Sequence, residues 1–287
     1  MVGAMAGFAV EDAFLKAAST ELPKAQVLVM FGLGGVLLFG ALALASGTRL
    51  LDPGVLSRPM RVRAVFEVSG RLFYLLAIAL TPLSAATAIL QATPVVVVAG
   101  AALVFGETVG WRRWSAIIVG LVGVLIVLRP GAESFSPLSL LAVLGMLGFA
   151  GRDLASRAAP ASLGTYALGF YGFWAIVVAG ALYALWEQAG FVWPGAVIWA
   201  QITGAVCFGV FAYGALMRAM RTGEVSAVTP FRYSRLLFGV GLGVLLFGES
   251  VDRQMLLGCG LIVLSGLYIM WRGGRVRNTA PEFEPPS

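Results

Sequence analysis

The sequence predicts an all-α integral membrane protein, ten transmembrane helices arranged as two inverted five-helix repeats. Three observations carry that prediction. Hydrophobic residues make up 59% of the chain and charged residues 12%, about half the charged share of a soluble domain. Ten apolar segments follow one another, and all but the first and the third approach or reach the roughly 20 apolar residues that a bilayer-spanning helix needs. The chain also repeats itself. Gly7-Phe8-Ala9-x-x-Asp12-x-x-x-Lys16-Ala17-Ala18 returns 141 residues later as Gly148-Phe149-Ala150-x-x-Asp153-x-x-x-Arg157-Ala158-Ala159, in a chain with only four Asp. Ser84–Glu107 aligns with Ser226–Glu249 at an offset of 142, with 8 identities in 24 positions.

The first segment, 1–18, starts at Met1 with no basic flank, which places the start of helix one within the membrane. Glu11, Asp12 and Lys16 interrupt it, and the apolar centre of a signal peptide carries no charge, so that reading is rejected. The second, 24–46, is apolar throughout; the third, 64–80, falls short of spanning length and carries Glu67 and Arg71. The fourth, 83–105, contains Pro94, which removes a helical hydrogen bond and so marks a hinge. It ends in Phe105-Gly106-Glu107. Glycine frees the backbone to end the helix, and the acid then precedes the next helix N-terminus, where its charge is stabilised. The fifth, 112–129, closes the first copy.

The second copy repeats the series at 137–157, 163–186, 194–217, 225–247 and 253–271, with Phe247-Gly248-Glu249 at the matching place of its fourth member and Pro230 in the first turns of that member. The domains are therefore 1–130 and 136–271. A polar, Pro-rich tail, 272–287, reads as disordered and cytoplasmic. Cys207 and Cys259 lie in apolar stretches and read as small buried hydrophobes.

Basic residues gather in alternate loops: Arg49, Arg58, Arg61 and Arg63, then Arg112 and Arg113, Arg157, Arg218 and Arg221, and Arg272, Arg275 and Arg277. The other loops offer Lys24, Arg129 and Arg253. The positive-inside rule puts both termini in the cytoplasm of a multi-pass inner-membrane protein. Trp111, Trp114, Trp193 and Trp271 suit interfacial anchors. A unit with an odd number of spans enters the membrane from opposite sides in its two copies. Such inverted repeats underlie secondary transporters, in which one half rocks against the other around a central site.

The segment Arg71–Pro130 resembles the EamA-type transporters of the drug/metabolite transporter superfamily. The resemblance rests on Thr81-Pro82-Leu83-Ser84-Ala85-Ala86-Thr87-Ala88-Ile89, Thr93-Pro94, Gly106-Glu107, Trp111-Arg112-Arg113-Trp114 and Gly120-x-x-Gly123-Val124. In the second half, Thr229-Pro230-Phe231-Arg232-Tyr233-Ser234-Arg235-Leu236-Leu237-Phe238 and Phe247-Gly248-Glu249 are similar to that family's ninth helix. The likeness runs from Met1 to about Trp271; the chain departs from it at the front, where members usually have several more residues. It implies a ten-helix bundle with cytoplasmic termini and a central cavity that carries small organic solutes, often outward.

Charges inside a bilayer cost about 2.5–3.5 kcal/mol each on insertion scales, so they face cavities and find partners. Arg71 and Arg235 fall at similar depths near the midplane, with Arg232 a turn away. Two or three guanidiniums against one obvious acid, Glu67, leave positive charge for a carboxylate or phosphate, which Arg binds bidentately. Arg71, Arg232 and Arg235 are the candidate substrate contacts, with Tyr74 and Tyr233 beside them lining the cavity. Glu67 is the candidate proton carrier and pairs with Arg71 at i,i+4. Asp12 with Lys16, and Asp153 with Arg157, form further i,i+4 pairs that would gate opposite mouths of one pathway.

No cofactor or metal is expected. Gly32-Leu33-Gly34-Gly35 lacks the Lys and hydroxyl of a phosphate-binding loop, and the chain has no His, which excludes a His relay. The expected partners are a small-molecule solute and the lipid bilayer, with a homodimer allowed and no nucleic acid. Two rival readings are a membrane-embedded enzyme acting on a lipid phosphate and a non-transporting accessory subunit. Neither a Ser-His nor a Cys-His pair can form here, which counts against the enzyme.

Overall fold

The computed structural model describes residues 1–106, 110–128, 136–158, 160, 162–222 and 232–278; the side chains of 105, 113, 128, 157, 217–222, 269–270 and 272–278 lie outside that description. Among the described residues the regular structure is helical, with no strand. The α-helices are α1 (Val2–Ala18), α2 (Lys24–Ala45), α3 (Arg58–Leu80), α4 (Leu83–Leu90), α5 (Thr93–Phe105), α6 (Trp111–Leu128), α7 (Leu140–Arg157), α8 (Thr165–Glu187), α9 (Ala196–Thr222), α10 (Ser234–Phe247) and α11 (Arg253–Asn278).

Among the described residues, five stretches are long and apolar enough to cross a membrane: Lys24–Ala45, Leu83–Val104 across α4 and α5, Pro137–Ser156, Thr165–Glu187 and Ala196–Leu216. Three shorter apolar helical stretches, Trp114–Val127, Ser234–Phe247 and Arg253–Tyr268, accompany them. Leu37, Leu44, Leu185 and Leu245 on the lateral surface are 73–81% exposed. Side chains of that kind belong against lipid, and the chain is a multi-pass membrane protein.

Two boundaries correct the sequence reading. α3 begins at Arg58 and runs for 23 residues, so the third segment is full length. Pro59 in its first turn favours an early start, and Arg71 then lies about 20 Å along the helix at 1.5 Å per residue. α11 continues to Asn278, past the point where a disordered tail was expected, because no proline stands before Pro281 to stop it. Residues 279–287 lie outside the described residues.

The fourth segment is broken where Pro94 required. Pro94 has no N–H to give the carbonyl of Leu90, and the Thr93 hydroxyl donates to that carbonyl instead. The helix parts at Gln91 and Ala92, between α4 and α5. Gly106 (φ 64°) ends α5 and Gly248 (φ 63°) ends α10 in the same left-handed conformation, as the repeated Phe-Gly-Glu predicted.

Helices meet where side chains are small, as close packing without a hydrophobic drive requires. α3 crosses α7 at Gly70 and Gly148, where a Cβ on Gly148 would lie 2.4 Å from the Gly70 Cα. α1 crosses α9 at Gly7 and Ala212, where a Cβ on Gly7 would lie 3.0 Å from the Ala212 Cβ. α2 packs on α8 around Phe31, Phe39 and Phe173, and α6 packs on α11 at Gly123 and Gly258. The α3–α7 partnership thus recurs, exchanged, as α1–α9, while α2–α8 and α6–α11 each join corresponding helices of the two copies.

Candidate functional site

Charged side chains cross the middle of this bundle in a connected network. α1 brings Glu11 and Asp12, 0% and 2% exposed. Arg71 on α3 donates to Glu11 Oε1 at 2.9 Å. Arg235 on α10 donates to Asp12 Oδ2 at 2.6 Å, and the Tyr74 hydroxyl donates to the same oxygen at 3.0 Å. The Arg235 guanidinium lies over the rings of Phe8 and Tyr74, 5.0 and 5.6 Å from their centroids, where the ring face attracts a cation.

α3 and α7 hold the second part. Glu67 is met by Arg63 and Arg152 at 3.2 Å each and by Arg71 at 3.7 Å. Arg63 also donates to the Tyr213 hydroxyl on α9 and the Ser156 hydroxyl on α7. Asp153 accepts from Arg152 at 2.8 Å and from Arg232 at 3.3 Å. Arg71 and Arg152 both lie over the ring of Phe149.

A cavity lies between these groups. Its walls include Arg71, Arg152, Arg232 and Arg235, with Gln91, Thr93, Met5, Phe8, Phe149 and Leu216 among the remainder. No carboxylate is among the described lining residues. Each acid stands behind an arginine and fixes it while the arginine faces the space. Gln91, at the break between α4 and α5, also donates to the carbonyl of Tyr233 at 3.2 Å.

The ends where α1 and α3 finish are tied together. Lys16 donates to the carbonyls of Ile78 and Thr81 at the end of α3, at 2.9 and 2.7 Å, and pairs with Glu249 at 3.7 Å. Glu249 accepts from the N–H groups of Leu83 and Ser84 at the start of α4, at 2.6 and 2.9 Å. Glu187 does the same for Lys24 and Ala25 at the start of α2. A carboxylate there satisfies free donors and meets the positive end of the helix dipole. The cavity lies toward the opposite face, lined from the first half of α1 and the second halves of α7 and α9.

Arg71, Arg232 and Arg235 thus reach one cavity, as the sequence suggested. Tyr74 and Tyr233 do not line it: Tyr74 is spent on Asp12, and the buried Tyr233 packs against Gly266 of α11. The i,i+4 pair of Asp12 with Lys16 does not form, because Arg235 and the end of α3 offer each a better partner. Asp153 likewise turns to Arg152 and Arg232; the Arg157 side chain and Glu107 lie outside the described residues. Glu67 keeps Arg71 only as its most distant partner. Glu249 caps α4 of the other half, while Asp252 caps the helix that follows, α11. Cys207 is exposed and Cys259 buried, both free.

Sequence reasoning missed Glu11, Arg63, Arg152 and Tyr213 as members of the network. Arg63 was assigned to a loop, yet it is 3% exposed inside α3. Glu11 and Arg152 occupy matched positions of the repeat, each one residue before the repeated Asp, and that coincidence was the available signal. They change the charge count. Five arginines (63, 71, 152, 232, 235) face four acids (11, 12, 67, 153), so the surplus is one positive charge, the lower of the one or two inferred.

The EamA-like transporter family model matches residues 1–129 and 137–271. The chain belongs to this family. The pseudopaline exporter CntI of Pseudomonas aeruginosa is 30% identical over 263 residues, 90% of each chain. A riboflavin transporter of Vibrio cholerae is 30% identical over 231 residues, 76% of this chain and 74% of its own. An S-adenosylmethionine uptake transporter of Rickettsia prowazekii is 23% identical over 73% of this chain and 70% of its own. A solved crystal structure shares the fold with a TM-score of 0.66, at 20% identity, across 96% of this chain and 97% of that one. The exporter and the two transporters among these relatives share the family's role, and the chain is a transporter rather than an enzyme.

Proposed function

We propose that the chain is a secondary transporter of small polar or anionic organic metabolites, working as an exporter by alternating access in the inner membrane. Its ten spans are two inverted five-helix repeats, 1–130 and 136–271, with both termini cytoplasmic. The exchanged helix partnerships, α3 with α7 against α1 with α9, support the inverted arrangement. In this topology, α1 and α3 finish on the external side, where Lys16 and Glu249 tie the mouth shut, and the cavity faces the cytoplasm.

The observation that carries the solute reading is the arginine wall. Arg71, Arg152, Arg232 and Arg235 line the cavity while their acids stand behind them. A guanidinium held on one edge keeps its other donors for a ligand and loses little freedom on binding one. Tyr74 and Tyr233 act as positioning residues in this scheme, and Asp12, Asp153, Lys16 and Arg157 belong to the moving contacts. The exporter among the relatives, together with the cytoplasm-facing cavity, supports outward transport.

Purified protein, alone in liposomes, should move solute. In a competition screen of amino acids, nucleotides and phosphorylated sugars, anionic compounds should raise its unfolding temperature. Arg232→Gln should weaken their binding about 10- to 100-fold, the worth of one charge-assisted hydrogen bond. Stabilisation by cations alone would overturn the anion reading.

A further inference from the structure

Glu11 stands apart from the other acids of the network. It is 0% exposed, and one oxygen, Oε1, accepts from Arg71. The other, Oε2, has no hydrogen-bond donor among the described residues. It points toward α9, where a Cβ on Gly209 would lie 3.1 Å from it and equally close to the Phe31 ring of α2. The contrast with its neighbours is sharp. Asp12 holds both Arg235 and Tyr74, Asp153 holds Arg152 and Arg232, and Glu67 holds three guanidiniums. Glu11 has one direct partner, and that partner lines the cavity.

An ionised carboxylate buried without a partner is among the costliest arrangements in a low-dielectric interior. Two states of Glu11 avoid it: ionised with Arg71 in place, or protonated with Arg71 withdrawn. The groups that face it are Arg71 of α3, which Glu67 shares from its other side, Arg235 of α10 and its neighbour Asp12. α9 and α2 present Gly209 and Phe31, which do not titrate. Arg235 is already held by Asp12, so it does not replace Arg71. Glu67 would still have Arg63 and Arg152 after Arg71 turned away, so it has no comparable need for a proton.

We propose that Glu11 is the proton-binding site of this transporter, linked to solute through Arg71: an anionic solute that takes the Arg71 guanidinium leaves Glu11 to bind one proton from water. The proposal rests on the anion reading for its solute half and on the Glu11 geometry alone for its proton half. One proton joins the carboxylate, Arg71 keeps its charge, and no other bond is made or broken. Solute and proton are bound together, so they move in the same direction. A monovalent anion is carried as a neutral pair, indifferent to the membrane potential. Export then runs on the solute's own outward gradient, and an opposing pH gradient drives accumulation.

The test uses infrared titration of the full chain in lipid nanodiscs. The wild type should show a carboxylic-acid band that disappears in Glu11→Gln and shifts in Glu11→Asp, the second variant guarding against a folding failure of the first. Arg71→Gln, which removes the partner without any ligand, should raise the midpoint of that band by a pH unit or more. Benzenesulfonate is the solute probe, a permanent anion that brings no titrating group of its own, and it should raise the wild-type midpoint in the same sense. In liposomes, Glu11→Gln should exchange labelled benzenesulfonate yet fail to concentrate it under an imposed pH gradient. A band that survives both Glu11 variants, a midpoint unmoved in Arg71→Gln, or gradient-driven accumulation by Glu11→Gln overturns the proton site. A shift with Arg71→Gln and none with benzenesulfonate overturns the solute linkage while the proton site stands.

Discussion

On α1, Gly7 lies against Ala212 of α9, Phe8 beneath Arg235, and Asp12 against that same guanidinium. On α7, Gly148 lies against Gly70 of α3, Phe149 beneath Arg71 and Arg152, and Asp153 against Arg152 and Arg232. Gly70 and Ala212 are themselves 142 residues apart, so the two crossings are copies of one contact. The residue before the Asp is not copied. It is Glu11 on α1, buried behind Arg71, and Arg152 on α7, in the wall of the cavity. Crossings are kept because backbone against backbone leaves no room for change, whereas a charge can be inverted wherever its partners can be redrawn.

The largest test of this comparison removes the shared acid. Asp12→Ala strands Arg235 in a site where the Asp12 side chain is 2% exposed, and should cost about 3–5 kcal/mol of stability. Asp153→Ala should cost clearly less, because the Asp153 side chain is 23% exposed and solvent screens the charges left behind. Thermal unfolding in detergent reads both. Equal losses would mean that burial is not what separates the copies. If Asp12→Asn and Asp153→Asn both left transport untouched, neither Asp would be part of a gate.

Next in size is the tie at the mouth where α1 and α3 finish. Lys16→Met loses two hydrogen bonds to carbonyls and its pair with Glu249, at about 1.5–3 kcal/mol. Cysteine labelling at that mouth should become faster in the variant; an unchanged labelling rate would remove Lys16 from the closure. The smallest effect sharpens the packing comparison. Gly148→Ala should cost about 1–2 kcal/mol by overpacking against the Gly70 backbone. Gly7→Ala should cost less, since its new methyl meets the Ala212 methyl at 3.0 Å, the Phe211 ring at 3.3 Å and the Phe208 carbonyl at 3.4 Å, none as close as the Gly70 backbone is to Gly148. A larger loss from Gly7→Ala would reverse that ranking.

Much of the scaffold was readable along the chain. The doubled motifs, the left-handed glycines at 106 and 248, the break beside Pro94 and three of the four cavity arginines, 71, 232 and 235, all follow from local rules. A missing N–H or a missing Cβ acts on its own stretch of backbone. The ion pairs were not readable in that way. Spacing proposed Asp12 with Lys16, but a side chain in a packed bundle sees the facing helix at closer range than its own next turn. Arg235 is 223 residues from Asp12 in sequence and 2.6 Å from it in space. Arg63 passed for a loop cation because the run of arginines from Arg58 read as a loop, although Pro59 marks the first turn of α3.

The sequence by itself determined that this chain is a doubled helical membrane protein with arginines at membrane depth, because composition, period and glycine conformation act locally. Only the tertiary structure decided which acid meets which base, that Glu11, Asp12, Glu67 and Asp153 each stand behind an arginine, and that Glu11 is left with a single hydrogen-bond partner among the described residues. Those outcomes depend on distances between helices remote in sequence, and in a low-dielectric interior a shift of a few ångströms decides whether a charge is paired or exposed to the cavity.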